Sequence, residues 1–238
     1  ASTGSEDIVV NFGENQNVGY EFSVAAQVIR SKNWAWTTVI NGSHVKDRIN
    51  RISTTLKNTS YQIEEDSPLR LRFREGGSQY DIYAVRSAGI DPATGQEIFI
   101  DRNGEYTFRY DADDEVVVGN TQPKLQGTWL NTLRYKGWSL NLVFSYKFGG
   151  DTYNKTLWSK VEDIDPRYNV DARAFTDRWK RPGDLSRFLA IKEIRPEDSS
   201  YSSERFVERL NELWLSSAML TYEFQAKFLK RIGFKRLG

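Results

Sequence analysis

The residue types best able to do covalent or metal chemistry are few in this chain and poorly spaced for it. Histidine occurs once, at His44, and cysteine not at all, so thiol nucleophiles, thiolate metal sites and nucleophile–imidazole pairs are ruled out or have almost no candidates. His44 follows Gly42-Ser43 with no partner at a defined spacing, which reads as a strand-end or loop histidine. Acidic residues gather at Asp101-Arg-Asn-Gly-Glu105 and again at Asp111, Asp113, Asp114 and Glu115, a composition suggestive of a calcium loop. Aligning Gly104 with the obligatory loop glycine makes Asp101 and Asn103 ligands. It also puts Phe99 and Tyr110 where the first and last oxygen ligands belong. Asp101 and Asn103 are therefore a weak metal candidate, and a solvated hairpin turn is the favoured reading. No catalytic residue, metal or cofactor is expected.

Binding chemistry is better supplied. Trp158, Tyr168, Trp179 and Tyr201 stand among charged residues in long polar stretches, where π faces could contact a sugar or a peptide, or simply pack the loops. Ser199–Glu204 reads as a flexible loop tip, and the charge runs at Arg195–Ser200 and Lys227–Arg231 as solvated faces. Lys and Arg number 33 against 32 Asp and Glu, a balance that offers nucleic acid no electrostatic footprint.

The elements that would carry these residues alternate with period two. In Trp138–Phe148, Trp138, Leu140, Leu142, Phe144, Tyr146 and Phe148 fall on one face, and Ser139, Asn141, Val143, Ser145 and Lys147 on the other. Tilted near 45°, this segment would rise roughly 26 Å, about the apolar band of an outer membrane. Gln126–Tyr135 precedes it across a two-residue turn, Lys136-Gly137, with the glycine such turns favour. Tyr20–Ile29 and Trp34–Asn41 form a second hairpin about Arg30–Asn33. Trp214–Phe224 is a third candidate strand, followed by a basic helical turn over Ala226–Ile232. The tight turns alternate with the long stretches Lys46–Lys124 and Gly149–Leu213, which should carry strand ends and small hairpins such as Glu97–Asp101 with Tyr106–Tyr110. No run of apolar residues is long enough for a membrane helix, but a mean hydropathy of −0.61 suits a barrel, whose strands alternate. Trp34, Trp36, Tyr135 and Trp138 beside the short turns, with Tyr146, Phe148 and Trp214 at the other strand ends, would make two interfacial bands. The expected fold is all-β: a transmembrane antiparallel β-barrel with short periplasmic turns and long extracellular loops. Trp138, Leu140, Leu142, Phe144 and Tyr146 would face lipid, with Ser139, Asn141, Ser145 and Lys147 in the lumen. A soluble β-sandwich with an aromatic core is the competing arrangement.

Several segments resemble the late barrel of SusC/RagA-type TonB-dependent transporters. They are Tyr83–Gly95, Val118–Gly127, Leu133–Leu142, Phe144–Asn154, Asp177-Arg-Trp-Lys-Arg-Pro-Gly-Asp184 and Ala218–Phe224, in that order. Gly19–Ser23 and Asn33–Thr37 resemble an earlier hairpin of the same barrel. The resemblance implies a barrel of about 22 strands with a plugged lumen in the outer membrane of a Gram-negative bacterium. Residues 1–238 would be its C-terminal part, with the N-terminal plug, earlier strands and last strands outside this chain, as any export signal would be. It further implies import of oligosaccharides or oligopeptides, energy from a TonB complex, and a SusD-like surface lipoprotein as partner. A soluble or surface-anchored carbohydrate-binding module and a passive porin-like barrel are the alternatives; an enzyme ranks last.

Overall fold

The computed structural model describes residues 13–53, 61–62, 70–164, 169–191 and 202–224, with backbone alone at 61–62 and 70–71. The described strands are β1 (Gly13–Arg30), β2 (Trp34–Ile52), β3 (Tyr61–Gln62), β4 (Arg70–Leu71), β5 (Asp81–Ala84), β6 (Arg86–Ile90), β7 (Glu97–Ile100), β8 (Tyr106–Thr107), β9 (Val116–Asn120), β10 (Leu125–Tyr135), β11 (Trp138–Tyr153) and β12 (Val207–Tyr222). Among the described residues helix is confined to short turns such as Lys155–Leu157 and Arg173–Thr176, and none is long and apolar enough to cross a membrane. The chain divides into two compact units. One is centred on the long strands (Val18–Lys46, Gln122–Gly150, Leu210–Gly238), and the other on the long intervening stretches (Ala1–Asn17, Asp47–Thr121, Asp151–Arg209).

The long strands form one five-stranded sheet in the order β1-β2-β10-β11-β12. Passing over the short strands, this is chain order, as in the wall of an up-and-down barrel. β10 and β11 pair without a slip from Tyr135 opposite Trp138 to Leu125 opposite Phe148, and β10 pairs β2 from Tyr135 opposite Trp34 to Gln126 opposite Ser43. Both expected hairpins are present. Ser31 N–H donates to the Trp34 carbonyl at 2.7 Å in the first. In the second the left-handed residue is Lys136, with φ +52°, and not the glycine. Gly137 is needed for space: a Cβ there would lie 2.7 Å from the Glu223 carbonyl oxygen. The strands run longer than alternation alone suggested. β1 and β2 span 18 and 19 residues, and β12 begins at Val207 rather than Trp214. The helical turn expected over Ala226–Ile232 lies outside the described residues.

The second unit is a body built from the long stretches. Tyr153, Leu157, Trp158, Val161, Ala174, Phe188 and Phe206 form its core. Each fully buried large side chain contributes roughly 1.5–3 kcal/mol. The small hairpin β7–β8 forms where the Asn-Gly turn placed it, with Phe99 opposite Thr107 and Ile100 opposite Tyr106. Ser202–Phe206 ties the unit together. Val85 N–H donates to the Ser202 carbonyl at 3.0 Å, and Glu204 N–H to the Val85 carbonyl at 3.0 Å. The Ser202 hydroxyl donates to Glu115 at 2.9 Å and the Ser203 hydroxyl to Glu97. Arg205 then reaches two buried carboxylates, Glu97 and Glu162, each at 2.7 Å. Glu115 is itself paired with Arg72 at 3.0 Å and accepts the Tyr110 hydroxyl at 3.1 Å. Burial, then the Glu115 charge, push the Tyr110 phenol up to about 12, so it stays a neutral donor.

Burial pushes the Glu97 carboxyl up, but the Arg205 guanidinium and hydrogen bonds from Arg205, Ser203 and Ser87 outweigh it and hold the group below its ordinary range. A depressed folded-state pKa means that the stabilisation is complete above the unfolded carboxylate range and is lost as pH falls through the folded value. Arg205→Ala, which strands two buried carboxylates, should cost about 3–5 kcal/mol. Urea-dependent proteolysis of this unit at neutral pH measures that loss. In the parent chain, resistance should fall as pH drops below the ordinary carboxylate range, and a flat profile would count against the pairing.

Candidate functional site

The sheet has two chemically different faces. Its register puts Trp34, Trp36, Thr38 and Ile40 of β2, Gly127, Trp129, Asn131, Leu133 and Tyr135 of β10, and Trp138, Leu140, Leu142, Phe144 and Tyr146 of β11 on one face. At the turn end Trp34 meets Tyr135 at 4.3 Å between ring centres, and Trp138 meets Tyr222 at 4.6 Å. Further along, Trp129 and Phe144 lie 5.4 Å apart, then Tyr146 stacks on Phe148 at 5.4 Å and Tyr20 meets His44 at 5.2 Å. Two polar residues interrupt the apolar field, and an indole N–H reaches the oxygen of each. Trp36 Nε1 donates to Asn131 Oδ1 at 3.1 Å, and Trp129 Nε1 to the Thr38 hydroxyl at 2.8 Å, which itself donates to the Leu130 carbonyl at 3.2 Å.

Trp138 is exposed on this face and Leu140, Leu142 and Phe144 are half-buried, whereas Tyr146 is only 7% exposed. Its ring crosses the neighbouring strands, and its hydroxyl donates to the Asn41 carbonyl at 3.0 Å. Glycines make the room. A Cβ on Gly127 would lie 2.8 Å from the Tyr146 oxygen and 1.9 Å from the Asn41 carbonyl oxygen, and one on Gly42 would lie 2.4 Å from the Phe22 ring.

The opposite face carries small polar groups on either side of one apolar rung, Val39, Leu130 and Val143. Ser23 donates to Asn41 at 2.7 Å, Asn41 to Thr128 at 3.2 Å, Thr128 pairs with Ser145, and Ser145 bonds Ser216. A second rung joins Thr132 to Asn141 at 2.9 Å. Trp214 belongs with this side: Lys147 Nζ sits 5.7 Å from its ring, while Tyr222 contacts Trp138 on the other face. The phase of β12 therefore changes between Ser216 and Tyr222. The expectation of one in-phase run from Trp214 to Phe224, with Trp214 in an aromatic band of the apolar face, is corrected. His44 Nδ1 bonds the Lys124 carbonyl at 2.7 Å, which places the lone imidazole in a structural contact.

Of the four loop aromatics expected to meet cargo, Tyr168 and Tyr201 lie outside the described residues. Trp158 is buried in the core with Leu157, Val161 and Phe206, so it offers no open face, and its reading as a contact residue is corrected. Trp179 clamps one motif onto another. Its ring covers Gly95, and its indole N–H donates to the Pro92 carbonyl at 2.8 Å. Gly183 N–H donates to the same carbonyl at 2.8 Å. The Asp184 carboxylate receives the Lys180 and Arg181 amides at 3.1 Å each, closing the turn. The same indole helps line an open cleft of about 470 Å³, with Ala174, Phe175, Arg178, Lys180, Pro182, Ala190 and Ile191.

Asp101 is occupied by its own turn. Its carboxylate accepts the Glu105 and Asn103 amides at 2.8 Å each, and these bonds hold it below its ordinary range. Asn103 Nδ2 is a donor to the same carboxylate, an arrangement for a hairpin rather than a cation. Among the described residues no cluster of three His, Cys, Asp or Glu could hold a metal. Exposed rings that sequence reasoning missed include Tyr106 and Phe108, 73% and 53% exposed, beside the Asn-Gly turn, and Phe175 on the Arg173–Thr176 turn. The i, i+2 spacing of Tyr106 and Phe108 was visible; which side of so short a hairpin meets solvent was not.

No family model matches the chain. It is 23% identical to the TonB-dependent receptor P39 of Formosa agariphila over 98% of this chain and 26% of that protein. It is 27% identical to the TonB-dependent receptor P3 of the same organism, over 65% of this chain and 17% of that protein. The chain thus spans about a quarter or less of the length of these relatives. Among solved structures it is similar to the RagAB peptide transporter, with a TM-score of 0.74 and 19% identity over 91% of this chain and 23% of that one. The RagAB peptide importer in its open-open state gives 0.71 at 19% identity, over 91% of this chain and 23% of that one. The family resemblance drawn from the residues is borne out: in sequence and fold the chain is similar to part of SusC/RagA-like TonB-dependent transporters. Its relatives are receptors and transporters rather than enzymes, and the likeness implies an outer-membrane location.

Gly95 has φ +76°, and a Cβ there would lie 2.5 Å from the Trp179 ring. Gly95→Ala should therefore cost about 2–4 kcal/mol, from left-handed strain and a forced indole shift. Trp179→Ala in the same background should recover the part due to the clash, and a double-mutant cycle of urea midpoints measures that coupling.

Proposed function

We propose that the chain is part of a TonB-dependent outer-membrane importer of oligopeptides or oligosaccharides that works with a SusD-like surface lipoprotein. The observation that carries this reading is the division of the five-stranded sheet into an aromatic-banded apolar face and a hydrogen-bonded polar face. Lipid on one side and an aqueous lumen on the other call for that division. Trp138, Leu140, Leu142 and Phe144 then face lipid, with Tyr146 on the same face but covered by its neighbours, while Ser139, Asn141, Ser145 and Lys147 face the lumen. The indoles that reach Thr38 and Asn131 fit the same assignment, because an unpaired polar group in hydrocarbon costs several kcal/mol. Exposed rings on the long stretches, Tyr106 and Phe108 foremost, suit contacts with a lipoprotein or cargo outside the cell. A soluble carbohydrate-binding module would leave the wide apolar face of the sheet without a covering.

In the full-length protein Leu142→Arg should cost about 2–4 kcal/mol of barrel stability, read from unfolding in lipid vesicles. Val143→Arg, whose parent side chain lies on the polar face, should cost much less, and equal costs would reverse the faces. Labelling of intact cells should reach a cysteine placed at Tyr106 and not one at Lys136. The partnership is tested by purification of the native transporter in mild detergent. A surface lipoprotein should come with it, and transport that survives deletion of every neighbouring lipoprotein would remove that part of the proposal.

A further inference from the structure

The cleft beside Trp179 has features of a side-chain pocket rather than a sugar platform. Ala174 and Ala190 are buried, Pro182 and Ile191 carry no polar side-chain group, and Phe175 stands half exposed. Sugar recognition needs several donors and acceptors for the ring hydroxyls, whereas the polar lining here is limited to Lys180 and to Arg178, whose guanidinium donates to backbone carbonyls. The cleft is also rigid where it matters. The Arg178 guanidinium is buried and donates to the Val161 carbonyl at 2.6 Å and the Leu189 carbonyl at 3.2 Å. The Trp179 indole is fixed on Pro92, and Ala190 N–H donates to the Gly95 carbonyl at 3.1 Å. What remains to meet an occupant's charge is the exposed ammonium of Lys180. Asp184, the nearby acid, is engaged by the Lys180 and Arg181 amides and by the Arg181 guanidinium at 3.5 Å.

We propose that this cleft binds the C-terminal residue of an oligopeptide, its apolar side chain between Phe175, Pro182 and Trp179 and its carboxylate on Lys180. A cleft of about 470 Å³ accommodates an aromatic or aliphatic side chain with its terminal carboxylate. Apolar walls with one cation at the rim complement a group that is apolar at one end and anionic at the other. The inference rests on the import reading and selects peptide over glycan as what this surface takes.

The test uses full-length transporter purified from outer membranes in detergent, titrated calorimetrically with N-acetyl-Gly-Gly-Phe, with its C-terminal amide, and with maltotriose. The free acid should bind about tenfold more tightly than the amide, the usual scale of a charge-assisted contact. Lys180→Gln should remove that difference by weakening the acid alone, and Phe175→Ala should weaken acid and amide together. Both parent side chains are exposed, so neither change disturbs a core. Equal binding of acid and amide, acid binding unchanged in Lys180→Gln, or maltotriose binding that Phe175→Ala abolishes would each overturn the proposal. Uptake by intact cells separates the two claims. Peptide uptake with unaltered acid binding in Lys180→Gln removes the cleft and leaves the importer. Cells that take up neither peptide nor oligosaccharide remove the importer reading, whatever the titrations give.

Discussion

The burial of Arg205 between Glu97 and Glu162 is the constraint on which the body built from the long stretches depends. Long polar loops lose much conformational entropy on ordering and have few apolar residues with which to offset it. A guanidinium that serves carboxylates from two distant stretches fixes both at once, at a geometry that a greasy contact would leave loose. The desolvation cost is high, and removal of one partner exposes it in full. Neighbouring Phe206 enters the apolar core, so the charged hub and the hydrophobic cluster are assembled by adjacent residues. Ser202 and Ser203 extend the hub to Glu115 and Glu97, so five consecutive residues organise most of the unit.

The sheet is held by different means. Its register is unbroken between β10 and its neighbours because a one-residue slip would turn every tryptophan toward the polar ladder. Each face also has partners for its exceptions. Indole N–H groups reach Asn131 and Thr38 among the apolar residues, and hydroxyl and amide groups bond one another on the other side.

Much of the sheet was legible in the residues because period-two alternation and glycine-bearing turns are local signals. Trp138–Phe148, its Lys136-Gly137 turn and the Tyr20–Asn41 hairpin needed no knowledge of distant partners. The phase change in β12 was not legible, because alternation continues through Ser216 while the contacts change face. The loop body was harder still. Trp158 and Trp179 look alike in sequence, each a tryptophan among charges, yet one lies in the core and the other is a clamp. Their difference lies in contacts across long sequence separations, with Phe206 for Trp158 and with Pro92 and Gly95 for Trp179. Asp177–Asp184 and Tyr83–Gly95 were visible as motifs, but their mutual clasp was not.

The ring of Tyr146, lying across Gly127 and Gly42, also constrains how this sheet can evolve. Three positions on three strands share one volume: the tyrosine fills what the glycines vacate, and its hydroxyl takes the Asn41 carbonyl as partner. A side chain at Gly127 would strike the Asn41 carbonyl whatever stands at Tyr146, and a small residue at Tyr146 leaves a trough across the strands. Divergence must therefore leave such positions largely alone. In a barrel wall one strand thick, there is no second layer of core to absorb the change.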